Sequence, residues 1–157
     1  ALFYLAAFAL MDLGAFGAVG LLSGEAGDRD DVASYQGLGY VHPWRAAALA
    51  VSLMSLAGLP PTAGFIGKFL VFGAALRAGY VGLAAFGIVT AVVGIFYALR
   101  IVAALYMQPS IEAHPTAPAP TGPAGKLVLL AMATGLLALG LFPGPLLGAI
   151  TSLVGGG

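Results

Sequence analysis

The sequence contains no cysteine, which excludes disulfides, thiolate metal sites and cysteine nucleophiles. Charge is scarce too. Only 8% of its 157 residues are Asp, Glu, Lys or Arg, where soluble domains average about 25%. Six basic and six acidic residues cancel to a formal net charge of zero, so there is no cationic footprint for nucleic acid. What is there instead is apolar: 61% of residues are hydrophobic, and mean hydropathy is +1.03. So few polar groups cannot cover a water-soluble globule of this size, and the composition implies a chain solvated by lipid. The 24 glycines and 10 prolines agree, both residues being commoner in membrane helices than in soluble ones.

The opening ALFYLAAFAL carries neither an initiator methionine nor a basic n-region. It is not expected to be a signal peptide, and a chain starting inside a hydrophobic run reads as part of something longer. Apolar runs predict helices over residues 2–22, 44–59, 61–77, 80–107 and 126–150, the last ending near Pro143 with an apolar tail. Between the first two lies a polar, solvated connection with Glu25, Asp28, Arg29, Asp30 and Asp31. Residues 108–125, containing PTAPAPTGP, form a Pro-rich linker that sets a final transmembrane helix apart from the unit over 1–107. The expected architecture is an all-α integral membrane protein with about five transmembrane helices, making four or five crossings. With alternating crossings, Arg29, Arg45 and Arg77 lie toward one side, and Arg100 and Lys126 toward the other.

The second and third helices are short for full spans. They fit either two antiparallel helices or one long discontinuous element. Pro60 and Pro61 remove two backbone donors and bar a continuous helix. Non-helical backbone at membrane depth is tolerated only inside protein or along a wet cavity. Two helices with an irregular turn across GLPPTAG is the preferred reading.

Lys68 is the lone charge between Arg45 and Arg77. An ammonium inside a membrane is costly and marks ion or proton paths. Desolvation disfavours the charged form of an amine, so a lysine there can load and release a proton. The alternative is an amine that snorkels to the interface. Asp12 sits mid-helix, with eleven uncharged residues before it and twelve after. It reads as a carboxylate partner for Lys68 or a relay acid, or else as a helix-end polar group or a protonated acid. Gly14, Gly17 and Gly20 offer a small-residue face for close helix packing. Thr90, Gly94 and Tyr97 recur at i, i+4 and i+7 as one polar and small stripe, suited to water or to packing. Arg100 reads as a transport residue or an interfacial anchor. His42, before Pro43 and Trp44, belongs to an interface belt; His114 belongs to the solvated linker. Ser52 and Ser55 are expected to bond to helix carbonyls or across helices. No metal-ligand spacing, Ser/His/Asp grouping, phosphate loop or dinucleotide fingerprint is present.

The segment DDVASYQGLGYVHPWRAAALAVSLMSLAGLPPTAGFIGKFLVF resembles the antiporter-like membrane subunits of respiratory complex I, nearest the subunit N branch of the bacterial enzyme. SLAGLPPTAGFIGKF is the most specific string, supported by LMDLGAFGAVG before it and TAVVGIFYALR after it. The likeness covers about residues 1–107; the last helix fits by position. It implies a fourteen-helix bundle of two inverted five-helix repeats, each with a discontinuous helix. This chain corresponds to its C-terminal third, from about the tenth helix. Lys68 falls on the lysine of the second broken helix, which links the central proton path to the far side of the membrane. The first repeat, with its Glu–Lys pair and central lysine, has no counterpart here. Asp12 stands where relatives often have a small polar residue. Phe96 and Ala98 replace two usual tyrosines, while Thr90 keeps a hydroxyl where serine is common.

The resemblance therefore implies a proton-translocating subunit of NADH–quinone oxidoreductase in the bacterial inner (plasma) membrane. Such a subunit couples electron transfer from NADH to quinone to proton pumping. Lys68 would be the proton-transfer residue, with Asp12, Tyr97, Thr90 and Arg100 as further candidates. No cofactor or metal is expected in this chain; NADH, FMN, iron–sulfur clusters and quinone belong to partner subunits. The expected partners are neighbouring antiporter-like subunits and the bilayer. Two alternatives remain: a subunit of a multi-subunit sodium/proton antiporter, and a structural or assembly bundle without transport.

Overall fold

The computed structural model describes residues 2–23, 32–107, 122–145, 148–149 and 152. The acidic stretch from Glu25 to Asp31, and His114 with most of the Pro-rich linker, lie outside them. The described residues form six α-helices and no strand: α1 (Leu2–Ser23), α2 (Leu38–Val41), α3 (Pro43–Ala57), α4 (Ala63–Arg77), α5 (Val81–Tyr106) and α6 (Pro123–Leu141). The connection after α1 is not wholly irregular. It contains a 3-10 helix, Val32–Tyr35, and the single turn of α2. Both are anchored by apolar side chains that the polar composition masked: Tyr35 and Leu38 are buried in the core.

Helices α1, α5 and α6 are long and apolar enough to cross a membrane, with mean hydropathies of 1.9, 2.3 and 1.9. At 15 residues each, α3 and α4 reach only about 22 Å alone, against a hydrocarbon core of about 30 Å. They are not an antiparallel pair. Neighbours along α1 advance in one direction: Arg45 Nη1 donates to the Leu21 carbonyl at 2.8 Å, Gly14 lies beside Ser52, Gly64 beside Met11, and Gly67 beside Tyr4. The partners along α5 advance likewise, from Gly39 against Leu105 to Phe72 against Gly87. So α3 and α4 are halves of one discontinuous element, antiparallel to α1 on one side and α5 on the other. Among the described residues, the five long helices thus trace four antiparallel passes, three of them single helices long and apolar enough to cross a membrane.

This corrects the expected division of charges. Lys126, at the start of α6, lies 5.9 Å from the centre of the Trp44 ring, and Arg45 sits over the same ring at 5.6 Å. Arg45 and Lys126 therefore share one end of the bundle, and Arg77 closes the other end of the broken element. From there α6 runs alongside α3 and α4, with Leu129 near Gly17 and Gly140 against Pro61 and Thr62.

Small residues set the helix spacing. A Cβ at Gly14 would sit 2.6 Å from Ser52 Oγ, and one at Gly17 would sit 3.5 Å from Leu129, whereas Gly20 faces open space. Ala15, Ala18, Ala46 and Leu49 form one buried cluster with Leu22, Leu105 and Leu129. Ala7, Met11, Ala63 and Leu136 form another, which roofs the break. Close approach of small residues supplies the packing that lipid cannot drive hydrophobically. The outer face of α5 stays exposed through Leu83, Phe86, Val89, Val93 and Phe96, as expected of a surface meeting lipid or protein rather than water.

Candidate functional site

The last carbonyls of a helix lack i+4 donors, and the end of α3 supplies them in two ways. Gly58 N–H donates to Met54 O and Ser55 O at 3.1 and 2.9 Å, and Leu59 N–H to Met54 O at 2.9 Å. Gly58 adopts φ 86°, ψ 37°, a left-handed conformation that glycine takes without steric penalty. The next two carbonyls, of Leu56 and Ala57, accept from Lys68 Nζ at 2.9 and 2.8 Å. Lys68 lies on the second turn of α4 and curls back over the break. Its ammonium meets the negative end of the α3 dipole in charge-assisted hydrogen bonds. The amine is thus held by the protein and does not snorkel.

Around it the break is stitched together. Thr62 Oγ1 donates to the Leu59 carbonyl at 2.6 Å, and the Gly64 N–H donates to Ser55 Oγ at 3.2 Å. Gly64 packs so tightly on the Ser55 carbonyl that any Cβ would overlap it. Thr62, Ala63 and Gly64 are buried, whereas Pro60 and Pro61 are exposed, so the break is packed on its α4 side and open at the prolines. Against α5, Lys68 shares cavities with Ala91, close to the middle of that 26-residue helix.

Lys68 borders two cavities, both clefts open at the surface of the described residues. One, of about 330 Å³, is lined by Tyr4, Phe72, Gly87 and Thr90. The other, of about 210 Å³, is lined by Gly58, Phe65, Phe69 and Ile95. A water occupies roughly 30 Å³ of liquid, so the first has room for several around the amine and the Tyr4 and Thr90 hydroxyls. Thr90 Oγ1 donates to the Gly87 carbonyl at 2.9 Å, leaving its lone pairs for a water. Tyr97 lines a third cavity of about 200 Å³ with Leu56, Ala57, Gly94 and Ile101. The stripe of Thr90, Gly94 and Tyr97 is exposed and lies along the edge of the contact between α5 and the broken element.

Asp12 is not paired with Lys68. It lines a cavity of about 340 Å³ beside Tyr35, Leu49, Leu53, Leu56 and Ile101, and none of its interactions is a hydrogen bond or ion pair with a described residue. Arg100 is exposed and lies outside the cavities around Lys68. His42 stands at the start of α3, beside the Trp44, Arg45 and Lys126 cluster. One contributor is not apparent from sequence. Tyr4 is there one more aromatic in an apolar run, and only the tertiary pairing of α1 with α4 brings it to Lys68. Ser55 takes the second of its two expected roles, bonding across helices as the acceptor that joins the two half-helices. No group of three or more His, Asp or Glu with metal-binding geometry occurs among the described residues.

Residues 1–94 match the family model described as NADH:quinone oxidoreductase/Mrp antiporter, transmembrane. The chain is 74% identical over 156 residues to NADH-quinone oxidoreductase subunit N 1 of Solidesulfovibrio magneticus, covering 99% of this chain and 34% of that protein. It is 43% identical over 146 residues to subunit N of Geobacter metallireducens, covering 93% and 31%. Among solved structures, a chain of respiratory complex I from Thermus thermophilus with bound aureothin superposes with a TM-score of 0.75 at 34% identity, covering 90% of this chain and 33% of that one. The chain thus spans about a third of the length of the curated relatives it matches.

Proposed function

The chain belongs to the NADH:quinone oxidoreductase/Mrp antiporter transmembrane family, and from that premise we propose that it serves as a proton-translocating membrane subunit of an NADH–quinone oxidoreductase. The observation that carries this reading is the half-buried Lys68 ammonium, bound to two carbonyls at a helix break and bordered by clefts large enough for water. Discontinuous helices whose ends hold charge at mid-membrane are a recurrent device of ion transport.

On this reading Lys68 receives a proton through water held by Tyr4 and Thr90, keeps it while the α3 carbonyls stabilise the ammonium, and releases it when a neighbouring charge or a shift of the break weakens that hold. Tyr97 lines the adjoining stretch of the route, and Arg100 anchors the outer surface of α5. The reduction of quinone by NADH happens in partner subunits that hold the flavin, iron–sulfur and quinone sites. Other antiporter-like subunits flank this one in the bacterial inner membrane, the location that the bacterial relatives support.

The family description also covers Mrp antiporters, which leaves a sodium/proton antiporter subunit as the second reading, while the relatives above are all named as oxidoreductase subunits. Sealed vesicles carrying the full-length protein in its parent complex separate the two. They are expected to build a protonophore-sensitive proton gradient when given NADH and a quinone in sodium-free medium. A gradient that needs sodium, or NADH oxidation that moves no protons, contradicts the proposal.

A further inference from the structure

We infer that Asp12 is a second proton-binding station on the same route, insulated from Lys68 by an apolar constriction of Leu53, Leu56 and Ile101. This rests on the reading of Lys68 as a proton carrier and extends it to a residue that Lys68 does not touch. The four cavities described above share walls in series. Leu53, Leu56 and Ile101 line both the Asp12 cavity and the Tyr97 cavity. Ala57 lines the Tyr97 cavity and the nearer Lys68 cavity. Lys68, Phe72 and Ala91 line that one and the Thr90 cavity. The string follows α5 from Ile101 to Gly87, about 21 Å at 1.5 Å per residue.

A carboxyl group near the middle of an apolar helix is rare, and where it occurs it marks ion and proton pathways. Asp12 is half-buried and has no hydrogen bond or ion pair with a described residue. Its surroundings therefore give it no evident structural duty. Among the described residues, the one other titratable group lining its cavity is Tyr35; Tyr97 and Lys68 follow in the adjoining cavities.

The chemistry is a proton transfer without redox change. The Lys68 ammonium gives up one proton, its N–H bond breaking to leave the neutral amine, and water at Tyr97 relays that proton to an Asp12 carboxylate oxygen, where an O–H bond forms. Apolar constrictions of this kind conduct only when wetted. Leu56 is placed to control the wetting, because it lines the constriction while its carbonyl accepts from Lys68.

The test uses the full-length protein in its parent complex, with Asp12→Asn, Asp12→Glu and Lys68→Ala compared for NADH-driven proton translocation across pH. Asp12→Asn is expected to lose translocation several-fold at normal levels of assembled complex. Asp12→Glu is expected to restore it with a displaced pH profile. Wild-type translocation and an unaltered profile in Asp12→Asn, with Lys68→Ala impaired, overturn the Asp12 station and leave the Lys68 reading standing. Wild-type behaviour in both overturns both. If Asp12→Asn does not assemble, Asp12→Glu decides: a displaced profile supports the station, and an unaltered one removes it.

Discussion

Lys68 can hold an ammonium inside an apolar bundle because two carbonyls that the end of α3 cannot satisfy are the acceptors it needs. Each group solves the other's problem: orphaned helix-end carbonyls are unfavourable at membrane depth, and so is an unsolvated ammonium. Ser55 plays the matching part for the first turn of α4, whose leading N–H groups also lack intrahelical partners. Its side chain is fully buried, at 0% exposure, and accepts from Gly64. Replacing Ser55 with alanine leaves that N–H unsatisfied, a change of about 1–3 kcal/mol. Thermal unfolding of the full-length protein in detergent is expected to shift downward accordingly. An unchanged midpoint would mean that the hydroxyl does not hold the half-helices together.

At the scale of elements, the broken helix was legible as an interruption but not as a topology. Pro60 and Pro61 announced that no helix could run through them. They said nothing about whether the chain then turns back or continues, because that depends on what packs on either side. The glycines decide it. Gly64 lets α4 press on the Ser55 carbonyl and on Met11, and Gly140 lets α6 cover Pro61 and Thr62. A Cβ at Gly64 would meet backbone, which cannot swing aside as a side chain can. Gly64→Ala is therefore expected to destabilise by about 1–3 kcal/mol, the usual range for overpacking, and to reduce the amount of assembled protein in the membrane. Gly94 sits in α5 where an added Cβ would meet nothing within 4 Å. Alanine there is expected to be neutral or stabilising by up to about 1 kcal/mol. Equal losses in the two variants would contradict the packing assigned to the break. The long helices themselves were readable, since α1, α5 and α6 are apolar runs of 22, 26 and 19 residues. The turns at Val32–Tyr35 and Leu38–Val41 were not, because their apolar anchors are single residues without a period.

For the molecule as a whole, sequence singled out Lys68 but not its company. Lys68 stood out because one charge in a long apolar stretch needs no partner to be noticed. The Thr90, Gly94 and Tyr97 stripe was visible by periodicity within one helix. Tyr4 was not, since its place beside Lys68 arises from the pairing of α1 with α4, which lie far apart in the chain. Pairing Asp12 with Lys68 follows from opposite charge alone, and the structure instead places them in separate cavities with Leu56 between. What joins these features into one device is a single claim: the Lys68 ammonium is held at the break in order to give up its proton during turnover. The most direct test measures protons moved per NADH oxidised in sealed vesicles carrying the parent complex, with Lys68→Ala and Lys68→Arg against wild type. Alanine carries no proton, and a guanidinium does not release one at any working pH, so both variants are expected to move fewer protons per NADH. A wild-type ratio in the arginine variant would contradict the account, because a permanent charge would then serve as well as a titrating one.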